Sequence, residues 1–558
     1  MQWFIILFAV IAFIIGKAIY DQITIKKKIM RKLHRNWGCL STEEISHERR
    51  QTISSYYNSR REEGLDIDEI TWQDLDLETL FLHMNQTGSA MGEEYLYSVL
   101  HKPVLSDDEY EKRRYLIDLY EKREDIRFSL GKIFQEIGKL RKISIYEYLN
   151  YLDSCEKGRV WLNIICILGL LVSVGITVFY GFSGLFLVFC SIGINMYVYY
   201  KEKARVGKYY DVLLYFIRVL YGARKLTKYK APEISEYIVV IETVLKEFRG
   251  FRSGAFLINT TVDGGSFFDI FMDYIRMLFH VDLLKFNQMV KILQSKKEPL
   301  ELLFQTVGVL DAMYAVASYR TYLGQDNFSE PVFVNDSLSI EVKGLYHPLV
   351  ENPVKADFSE NKSVLVTGSN ASGKSTFLKA VAINALLSQT ICTSLSSYYK
   401  ARKCKIFSSM ALSDNIFENE SYFIVEIKSL KRILDYMDDD IPMLIFIDEV
   451  LRGTNTLERI AASSQILYEF SKKNVLCFSA THDIELTHIL ENSYSNYHFT
   501  EDVVNGEVVF EYLLHPGRAT SRNAIKLLTM LGYPKEIVTK AETAANDYVK
   551  TGQWKIFE

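Results

Sequence analysis

The feature that most constrains the fold is a glycine-rich segment, residues 368–375, which reads GSNASGKS and fits the pattern G-x-x-x-x-G-K-[ST]. The β-branched run Ser363–Thr367 before it predicts a strand, and residues 376–387 predict a helix after it. This strand–loop–helix order is the context that the pattern requires. Because strands continue to alternate with helices from about residue 330 to 515, we predict an α/β fold with a largely parallel sheet there.

The residue types in this loop are suited to holding phosphate. Glycines let backbone N–H groups turn toward phosphate oxygens, and the following helix N-terminus adds positive potential. We expect Lys374 to reach the β- and γ-phosphates of ATP and Ser375 to ligate Mg²⁺. The rest of the predicted ATP-binding set comes from the same loop and the first turn of the helix: Gly368, Asn370, Gly373 and Thr376.

A second predicted strand ends in two carboxylates. Residues 443–447 are consecutively apolar, which predicts a buried strand, and Asp448 and Glu449 follow directly. Ligands of α/β sheets bind at the carboxyl ends of the strands. We therefore expect Asp448 to hold Mg²⁺, directly or through water, and Glu449 to polarise the attacking water. Such an acidic strand end is more often structural when it stands alone, but the loop upstream favours catalysis.

Two further segments lie close to these acids. The next predicted strand, residues 475–479, leads to His482, which we predict to sense the γ-phosphate through a hydrogen bond. A lone histidine is usually structural, but the position one strand after the acids favours the functional interpretation. Residues 452–456, RGTNT, form a Gly-Thr turn that is suited to contacts across a dimer.

These segments resemble the MutS family of ABC-type ATPases. Residues 448–456, DEVLRGTNT, are similar to that family's D-E-x-x-R-G-T-x-T stretch, and residues 421–426, SYFIVE, resemble its S-T-F-M-x-E segment. Similarity extends to the A-T-H at 480–482, the YHPLV at 346–350, the loop with Asn370 and Phe377, the tail at 521–541 and, more weakly, residues 75–105. The resemblance covers about 60% of the chain.

The resemblance implies an ABC-type P-loop ATPase domain that follows an all-α core and lever region. It also implies a homodimer through the ATPase domains, in which one subunit contributes Lys374, Ser375, Asp448, Glu449 and His482. The partner subunit's Ser421 would touch the γ-phosphate in trans. The ATP cycle would then open and close the two ATPase domains and move the helical levers.

The sequence also departs from the family pattern. Residues 134–136 spell the Phe-x-Glu of a mismatch-reading wedge, but they lie in an amphipathic helix, so we interpret them as structural. No mismatch-reading or connector domain fits before residue 66. Val354 stands where the family often has an aromatic ring near the adenine, and Tyr422 replaces a threonine. The implied ATPase is therefore better supported than the implied mismatch repair.

Two apolar regions predict membrane segments. Residues 3–15 are unbroken apolar, and the run continues to Tyr20, which gives a helix of about 27 Å, close to the hydrocarbon thickness. Positive charges follow the run and none precede it, so this segment is an anchor and not a cleaved signal peptide. The positive-inside rule then places the N-terminus outside and the remainder in the cytoplasm.

The second apolar region, residues 160–200, breaks at a YGFSG turn and predicts a transmembrane helical hairpin. Its turn is uncharged and both flanks are basic, so both ends face the cytoplasm. A buried helix pair of a soluble domain is the alternative interpretation. The hairpin interrupts the all-α region, and we expect a multi-pass protein of the inner cell membrane that contacts the lipid bilayer.

These features together predict the following organisation: a transmembrane anchor (1–20), a cytoplasmic basic linker (21–65), a helical core-like segment (66–157), a transmembrane hairpin (158–201), a helical lever or core-like region (202–329), a P-loop ATPase domain (330–515) and a C-terminal helical dimerisation segment (516–558).

The amino-acid composition limits the partners that this chain can have. The net charge of −4 argues against a generally basic nucleic-acid binder. The seven cysteines form no C-x-x-C pair, which favours reduced thiols.

Three functions compete at this stage. The first is a membrane-tethered, MutS-like ATPase that clamps or signals, with DNA or an unknown protein as cargo. The second is a DNA-binding protein of mismatch repair or recombination, and it would use a basic surface such as Arg218, Arg224, Lys225, Lys228 and Lys230. The third is an ABC-type transporter, which is least favoured because the sequence lacks an L-S-G-G-Q-like signature.

Overall fold

Two short stretches of the N-terminal half, Arg61–His83 and Val99–Arg114, belong to the same unit as Leu323–Glu558 and form an α/β unit with it. A helical unit comprises Met1–Arg60, Met84–Ser98 and Tyr115–Tyr322. The computed structural model describes residues 2–140, 144–147, 159–229, 231–248, 251, 267–335, 338–369, 372–410, 422–437, 440–472, 474–504, 507–519, 525, 528 and 532–556.

The α-helices of the described residues are α1 (Gln2–Asn36), α2 (His47–Ile53), α3 (Ser55–Asn58), α4 (Glu69–Asp74), α5 (Leu77–Met84), α6 (Ala90–His101), α7 (Asp107–Lys122), α8 (Glu124–Ile137), α9 (Val160–Tyr180), α10 (Leu185–Lys228), α11 (Ser235–Glu247), α12 (Phe267–Phe279), α13 (Val281–Ser295), α14 (Lys297–Leu323), α15 (Lys374–Thr390), α16 (Tyr422–Asp435), α17 (Thr456–Glu469), α18 (Ile484–Ile489) and α19 (Lys535–Thr551).

The strands are β1 (Val332–Phe333), β2 (Ile340–Leu345), β3 (Ala356–Glu360), β4 (Ser363–Thr367), β5 (Tyr398–Ala401), β6 (Lys405–Ser409), β7 (Met443–Asp448), β8 (Val475–Thr481), β9 (Tyr494–Val504) and β10 (Glu507–Pro516). The C-terminal part is therefore α/β, and the part before it is helical, as the sequence predicts. Helix α1 continues without a break from the predicted anchor into the predicted linker. The finer division into seven segments stays a prediction.

Helix α14 is the buried centre of the helical unit. Most of its residues between Leu300 and Arg320 are buried. Asp311 on this helix is fully buried and accepts hydrogen bonds from the Gly88 N–H (2.9 Å), the Ser89 N–H (2.7 Å) and the Ser89 hydroxyl (2.6 Å). Burial raises the pKa of Asp311 to about 6. One carboxylate thus holds the chain that enters α6.

Helices α9 and α10 form a helical hairpin, with a 3₁₀ turn, Gly181–Gly184, between them. A Cβ on Gly184 would lie 2.5 Å from the Cα of Thr177, so the turn requires glycine at this close approach. The polar residues Asn163 and Asn195 face inward, and the Asn195 amide donates to the Cys166 carbonyl (3.3 Å). Large apolar side chains face outward, including Trp161, Ile165, Leu168, Phe179, Phe186, Phe189 and Tyr197.

Two helices of the described residues have the length and apolarity to cross a membrane. In Val160–Tyr180 only 22% of the apolar window is buried, whereas in Lys297–Leu323 78% is buried. The second helix is α14, whose burial explains its apolar composition without a membrane. The first predicted segment lies in α1, where the side chains of residues 1–15 are outside the described part.

The α/β unit contains two sheets. The larger has the strand order β10-β9-β4-β8-β7-β6, in which all neighbours are parallel except the antiparallel pair β10 and β9. The smaller has the order β1-β5-β2-β3. Strands β4, β7 and β8 are almost entirely buried, as expected for the centre of a parallel sheet covered on both faces. Because the interiors of these three strands are buried, the polar residues lie at or just beyond the strand ends.

The edge strand β6 is paired with side chains from α4. The Ser408 N–H donates to the Thr71 hydroxyl (3.0 Å), and the buried Asp74 accepts from the Ser408 hydroxyl (2.6 Å) and the Met410 N–H (2.8 Å). These bonds satisfy the open edge of the sheet, which would otherwise expose unpaired backbone groups. They also fix the end of β6, from which the chain continues toward residue 421.

We expect Asp74→Ala to lower the thermal stability of the chain. The substitution leaves the Ser408 hydroxyl and the Met410 N–H buried without this acceptor, which costs about 1–3 kcal/mol for each unsatisfied group. The midpoint of thermal unfolding in detergent should fall by several degrees. Asp435→Ala is the matched control, because its carboxylate is exposed and, among the described residues, pairs with Lys431 four residues away. Equal midpoints for both variants would contradict the assigned role of Asp74.

Candidate active site

Three adjacent parallel strands end at one edge of the larger sheet. Thr367 at the end of β4 pairs with Thr481 of β8, and Asp448 at the end of β7 pairs with Ala480 of β8. The glycine-rich loop follows β4, Glu449 follows β7 and His482 follows β8. The parallel register therefore brings these three predicted elements of the site together, at the edge where α/β sheets bind ligands.

The glycine-rich loop has a backbone that only glycine adopts easily. Gly368 has φ +152° and Gly373 has φ +104°. A Cβ on Gly368 would lie 2.8 Å from the Ser372 hydroxyl, and one on Gly373 would lie 3.0 Å from the ring of Tyr512. The loop is therefore a cradle of bare backbone of the kind that fits phosphate. Asn370 lies outside the described residues.

Lys374 is buried at the start of α15. Its Nζ donates to the carbonyls of Gly368 (2.9 Å) and Ser369 (2.7 Å), so the ammonium group bridges its own loop. Burial lowers the pKa of Lys374, and the nearby carboxylates of Glu449 and Asp448 oppose this effect. The cation stands at the mouth of the cradle, next to the acids of β7.

A hydrogen bond joins the helix after the loop to the strand that carries the acids. The Ser375 hydroxyl donates to Asp448 Oδ2 at 2.5 Å. A hydroxyl oxygen beside a carboxylate oxygen is a donor set of hard ligands, which suits Mg²⁺. The predicted metal-binding pair is therefore in contact, and the chemistry of its atoms fits that ion.

Glu449 is held through both of its carboxylate oxygens. Its Oε1 lies 2.9 Å from His482 Nε2, and its Oε2 lies 2.5 Å from Arg452 Nε. His482 Nε2 is also 3.4 Å from Lys374 Nζ. Burial raises the pKa of Glu449, but the hydrogen bond from His482 and the charges of Arg452 and Lys374 outweigh it, so the net pKa lies below the usual range. The group is a carboxylate, as a general base requires.

The backbone after β7 is strained. Glu449 and Leu451 have φ +62° and +59°, in the left-handed region that these residues rarely adopt. The turn is held on both sides, because the Glu449 N–H donates to the Ala480 carbonyl (3.0 Å) and the Arg452 N–H donates to Glu426 (3.3 Å). Such strain concentrates at active sites, where it fixes a side chain that the relaxed backbone would direct elsewhere.

The RGTNT segment links the acids to two helices. Asn455 caps α17 by accepting from the Glu458 N–H (3.0 Å). Gly453 passes close to α16, since a Cβ there would lie 3.0 Å from the Cβ of Phe423. Glu426, in the segment that follows Ser421, is the acceptor described above. Ser421 itself lies outside the described residues, so its predicted contact in trans stays a prediction.

Two cavities meet at the loop. An apolar one of about 320 Å³ is lined by residues that include Tyr346, His347, Val354, Phe377 and Phe499. A more polar one of about 310 Å³ is lined by Lys374, Ser375, Asp448, Glu449 and Arg452. Gly373, Thr376 and Tyr512 line both cavities. An apolar space for a flat base thus adjoins a polar space for phosphates.

Sequence reasoning missed several residues of this site. Tyr512, on β10, has φ +55° and is half exposed at the border of the two cavities. Arg452 pairs with Glu449, whereas the sequence suggested only a dimer contact for its segment. Glu501 accepts a hydrogen bond from the Ser369 hydroxyl in the loop. The i, i+3 spacing of Glu449 and Arg452 is the one sequence signal that could have indicated their ion pair. Tyr512 and Glu501 lie on strands far along the chain from the loop, so no local spacing indicates them.

Comparison with known proteins agrees with this geometry. Residues 364–548 match the family model of MutS domain V. Similar curated proteins are the DNA mismatch repair proteins MutS of Lactobacillus acidophilus (28% identical over 277 residues, 46% of this chain and 31% of the relative) and Natronomonas pharaonis (31% identical over 255 residues, 43% and 28%). The chain thus spans about a third of the length of these curated relatives. The matched residues include the loop, both acids, His482 and most of α19.

We expect Tyr512→Ala to weaken binding of ATP about fivefold and to leave binding of inorganic tripolyphosphate unchanged, because a stacked ring contributes about 1 kcal/mol to a flat partner. Calorimetric titration with each ligand measures the two affinities. Tyr468→Ala is the control, since Tyr468 is similarly exposed and lines neither cavity. Equal loss for both ligands would show that Tyr512 supports the loop and does not contact the base.

Proposed function

We propose that this chain is a membrane-anchored, MutS-like ATPase that binds and hydrolyses ATP with Mg²⁺. The observation that carries the proposal is the joint placement of the loop lysine, the Ser375–Asp448 pair and Glu449 at the ends of adjacent parallel strands. The family match of residues 364–548 supports it, because MutS domain V is the ATPase domain of that family.

Each group has a separate task in this proposal. The cradle and Lys374 bind and orient the phosphates, and the apolar cavity takes the base. Ser375 and Asp448 would hold Mg²⁺, which supplies charge neutralisation at the phosphates when bound. Glu449 accepts a proton from the water that attacks the γ-phosphorus as the bond to ADP breaks. Each oxygen of Glu449 has one of these partners, Arg452 or His482, and keeps a second lone pair that can accept from the water.

The dimer belongs to the proposal as well. The MutS-like resemblance favours a composite site completed by the partner subunit's Ser421. Glu426 supports this view, because its bond to the Arg452 backbone connects the helix that follows residue 421 to the turn beside Glu449. Closure of two ATPase domains would in this way be sensed directly at the general base. Residues 516–558, which include α19, are the proposed C-terminal helical dimerisation segment.

The membrane anchor rests on the hairpin of α9 and α10 and on the apolar start of α1. The hairpin turns its asparagines inward and its large apolar side chains outward, opposite to the arrangement of a helix pair in water. Its turn bears no charge, and basic residues flank its ends. We infer a multi-pass inner-membrane protein with its N-terminus outside and the ATPase domain in the cytoplasm.

DNA is the alternative cargo, because the similar curated proteins are DNA mismatch repair proteins. The predicted basic surface gives this alternative limited support. Arg218, Arg224 and Lys228 are exposed, but Lys225 pairs with Glu136. Lys230 lies outside the described residues. A protein cargo or a membrane signal is therefore the leading proposal, and DNA processing the second.

Glu449→Gln should retain ATP binding and lower the rate of hydrolysis about 10²- to 10⁴-fold, because a positioned general base contributes that much. Lys374→Ala should weaken ATP binding itself. Steady-state phosphate release and titration with a fluorescent ATP analogue measure the two effects in the detergent-purified chain. Glu469→Gln, on the exposed face of α17, is the control. Parental hydrolysis by both site variants would refute the assignment of this site.

Membrane anchoring and DNA response are tested on the same chain. After alkaline carbonate extraction, an anchored chain stays in the membrane pellet, and release into the supernatant would refute the anchor. ATPase activity is then measured with and without mismatched and branched DNA at a stated salt concentration, because phosphate contacts depend strongly on salt. We expect an unchanged rate; a severalfold response to DNA would favour the second function.

A further inference from the structure

The second half of α1 is strongly basic in a chain whose net charge is −4. Asp21 is the single acidic residue of the whole helix. Six basic residues lie in the ten-residue stretch 26–35 that follows it, and all six are exposed: Lys26, Lys27, Lys28, Arg31, Lys32 and Arg35. The charge is therefore concentrated on one short length of helix.

Five of these residues share one face of the helix, because residues three and four apart are neighbours on its surface. Lys27, Arg31 and Arg35 follow one another at four-residue intervals, with Lys28 and Lys32 beside them. We call these five residues the basic stripe. The opposite face packs, since Leu33 is buried and Trp37, just beyond the helix, makes an edge contact with Phe128 of α8 (6.4 Å).

The basic stripe has no ion pair among the described residues. Arg35 Nε donates a long, weak hydrogen bond to the side chain of the neighbouring Asn36 at 3.4 Å. Like charges four residues apart repel one another and destabilise a helix. A stripe of this kind is therefore a surface that gains most from an external partner with negative charge.

The position of the stripe on the helix indicates which partner it meets. Helix α1 is continuous from Gln2, so the apolar run that ends at Tyr20 and the stripe form one rod. At 1.5 Å per residue, Lys27 lies about 10 Å beyond Tyr20 along the axis, and Arg35 about 22 Å. The headgroup layer is about 5–8 Å thick, and the Debye length is about 8 Å at physiological salt. The stripe thus begins at the outer edge of the headgroups.

We propose that the basic stripe binds the headgroups of anionic phospholipids at the cytoplasmic face of the membrane. This rests on the proposed membrane anchor. The phosphates of such lipids complement the charge of the stripe, and their distance from its first residues is set by the apolar part of the same helix. Nucleic acid presents phosphates too, but nothing in the helix would place a duplex against Lys27 and Lys28.

Native mass spectrometry of the full chain, released from micelles doped with equal amounts of phosphatidylglycerol and phosphatidylcholine, tests the proposal. The parent should retain the anionic lipid about fivefold over the neutral one at low salt, and this ratio should approach one as the salt rises. The variant Lys27→Gln, Lys28→Gln, Arg31→Gln, Lys32→Gln should show a ratio near one at low salt. Lys27→Gln with Lys28→Gln should lower the ratio more than Lys32→Gln with Arg35→Gln.

The matched control, Arg61→Gln, Lys122→Gln, Lys362→Gln, Lys472→Gln, removes the same charges from exposed positions elsewhere and should keep the parental ratio. The proposal would be overturned if the stripe variant kept the parental ratio of anionic to neutral lipid. It would also be overturned if the parent retained both lipids equally. A stripe variant that loses affinity for duplex DNA at an unchanged lipid ratio would assign the stripe to nucleic acid instead. Carbonate extraction separates the two proposals: release of the parent overturns the anchor, whereas a retained parent without lipid preference overturns the stripe alone.

Discussion

The parallel register of β4, β8 and β7 is the constraint on which the rest of the α/β unit depends. Pairing of Thr367 with Thr481 and of Asp448 with Ala480 aligns the ends of three strands whose interiors are buried. A slip of one residue would turn every side chain to the other face and separate the acids from the loop. The apolar cluster around Ile445, Ile447 and Cys477 therefore determines the geometry of the polar groups at the sheet edge.

The charged groups of the site are paired with other groups of the protein. Lys374 bridges two carbonyls of its loop, Ser375 bonds to Asp448, and Glu449 is held by His482 and Arg452. Partly buried charged groups without partners are costly, so each of them has found one inside the protein. A bound nucleotide would exchange these internal partners for phosphate and water. The strained backbone of Glu449 and Leu451 keeps the Glu449 carboxylate directed into the site.

The helical unit shows how similar compositions lead to different placements. Helices α9 and α14 both have the length and apolarity of a membrane segment, but α14 packs along its length while α9 presents most of its surface outward. The hairpin asparagines turn inward, and His280 bonds to the Asn163 side chain (3.0 Å) and faces the Asn195 carbonyl (3.2 Å). One polar atom of each asparagine side chain is thus bonded to protein, whereas Asn163 Nδ2 and Asn195 Oδ1 are buried without a partner among the described residues.

The sequence alone determined the strand–loop–helix unit at residues 363–387, the acids at the end of β7 and the two apolar regions, because these depend on local spacing and composition. It also indicated that Phe134 has a structural role in an amphipathic helix, and Phe134 is fully buried. Only the tertiary structure decided that α4 pairs with the edge of β6, that Tyr512 borders both cavities and that Arg452 binds Glu449. It likewise decided which apolar helix is buried. These contacts join residues far apart in the chain or depend on unusual backbone angles, and neither periodicity nor spacing along a sequence specifies which distant surfaces meet.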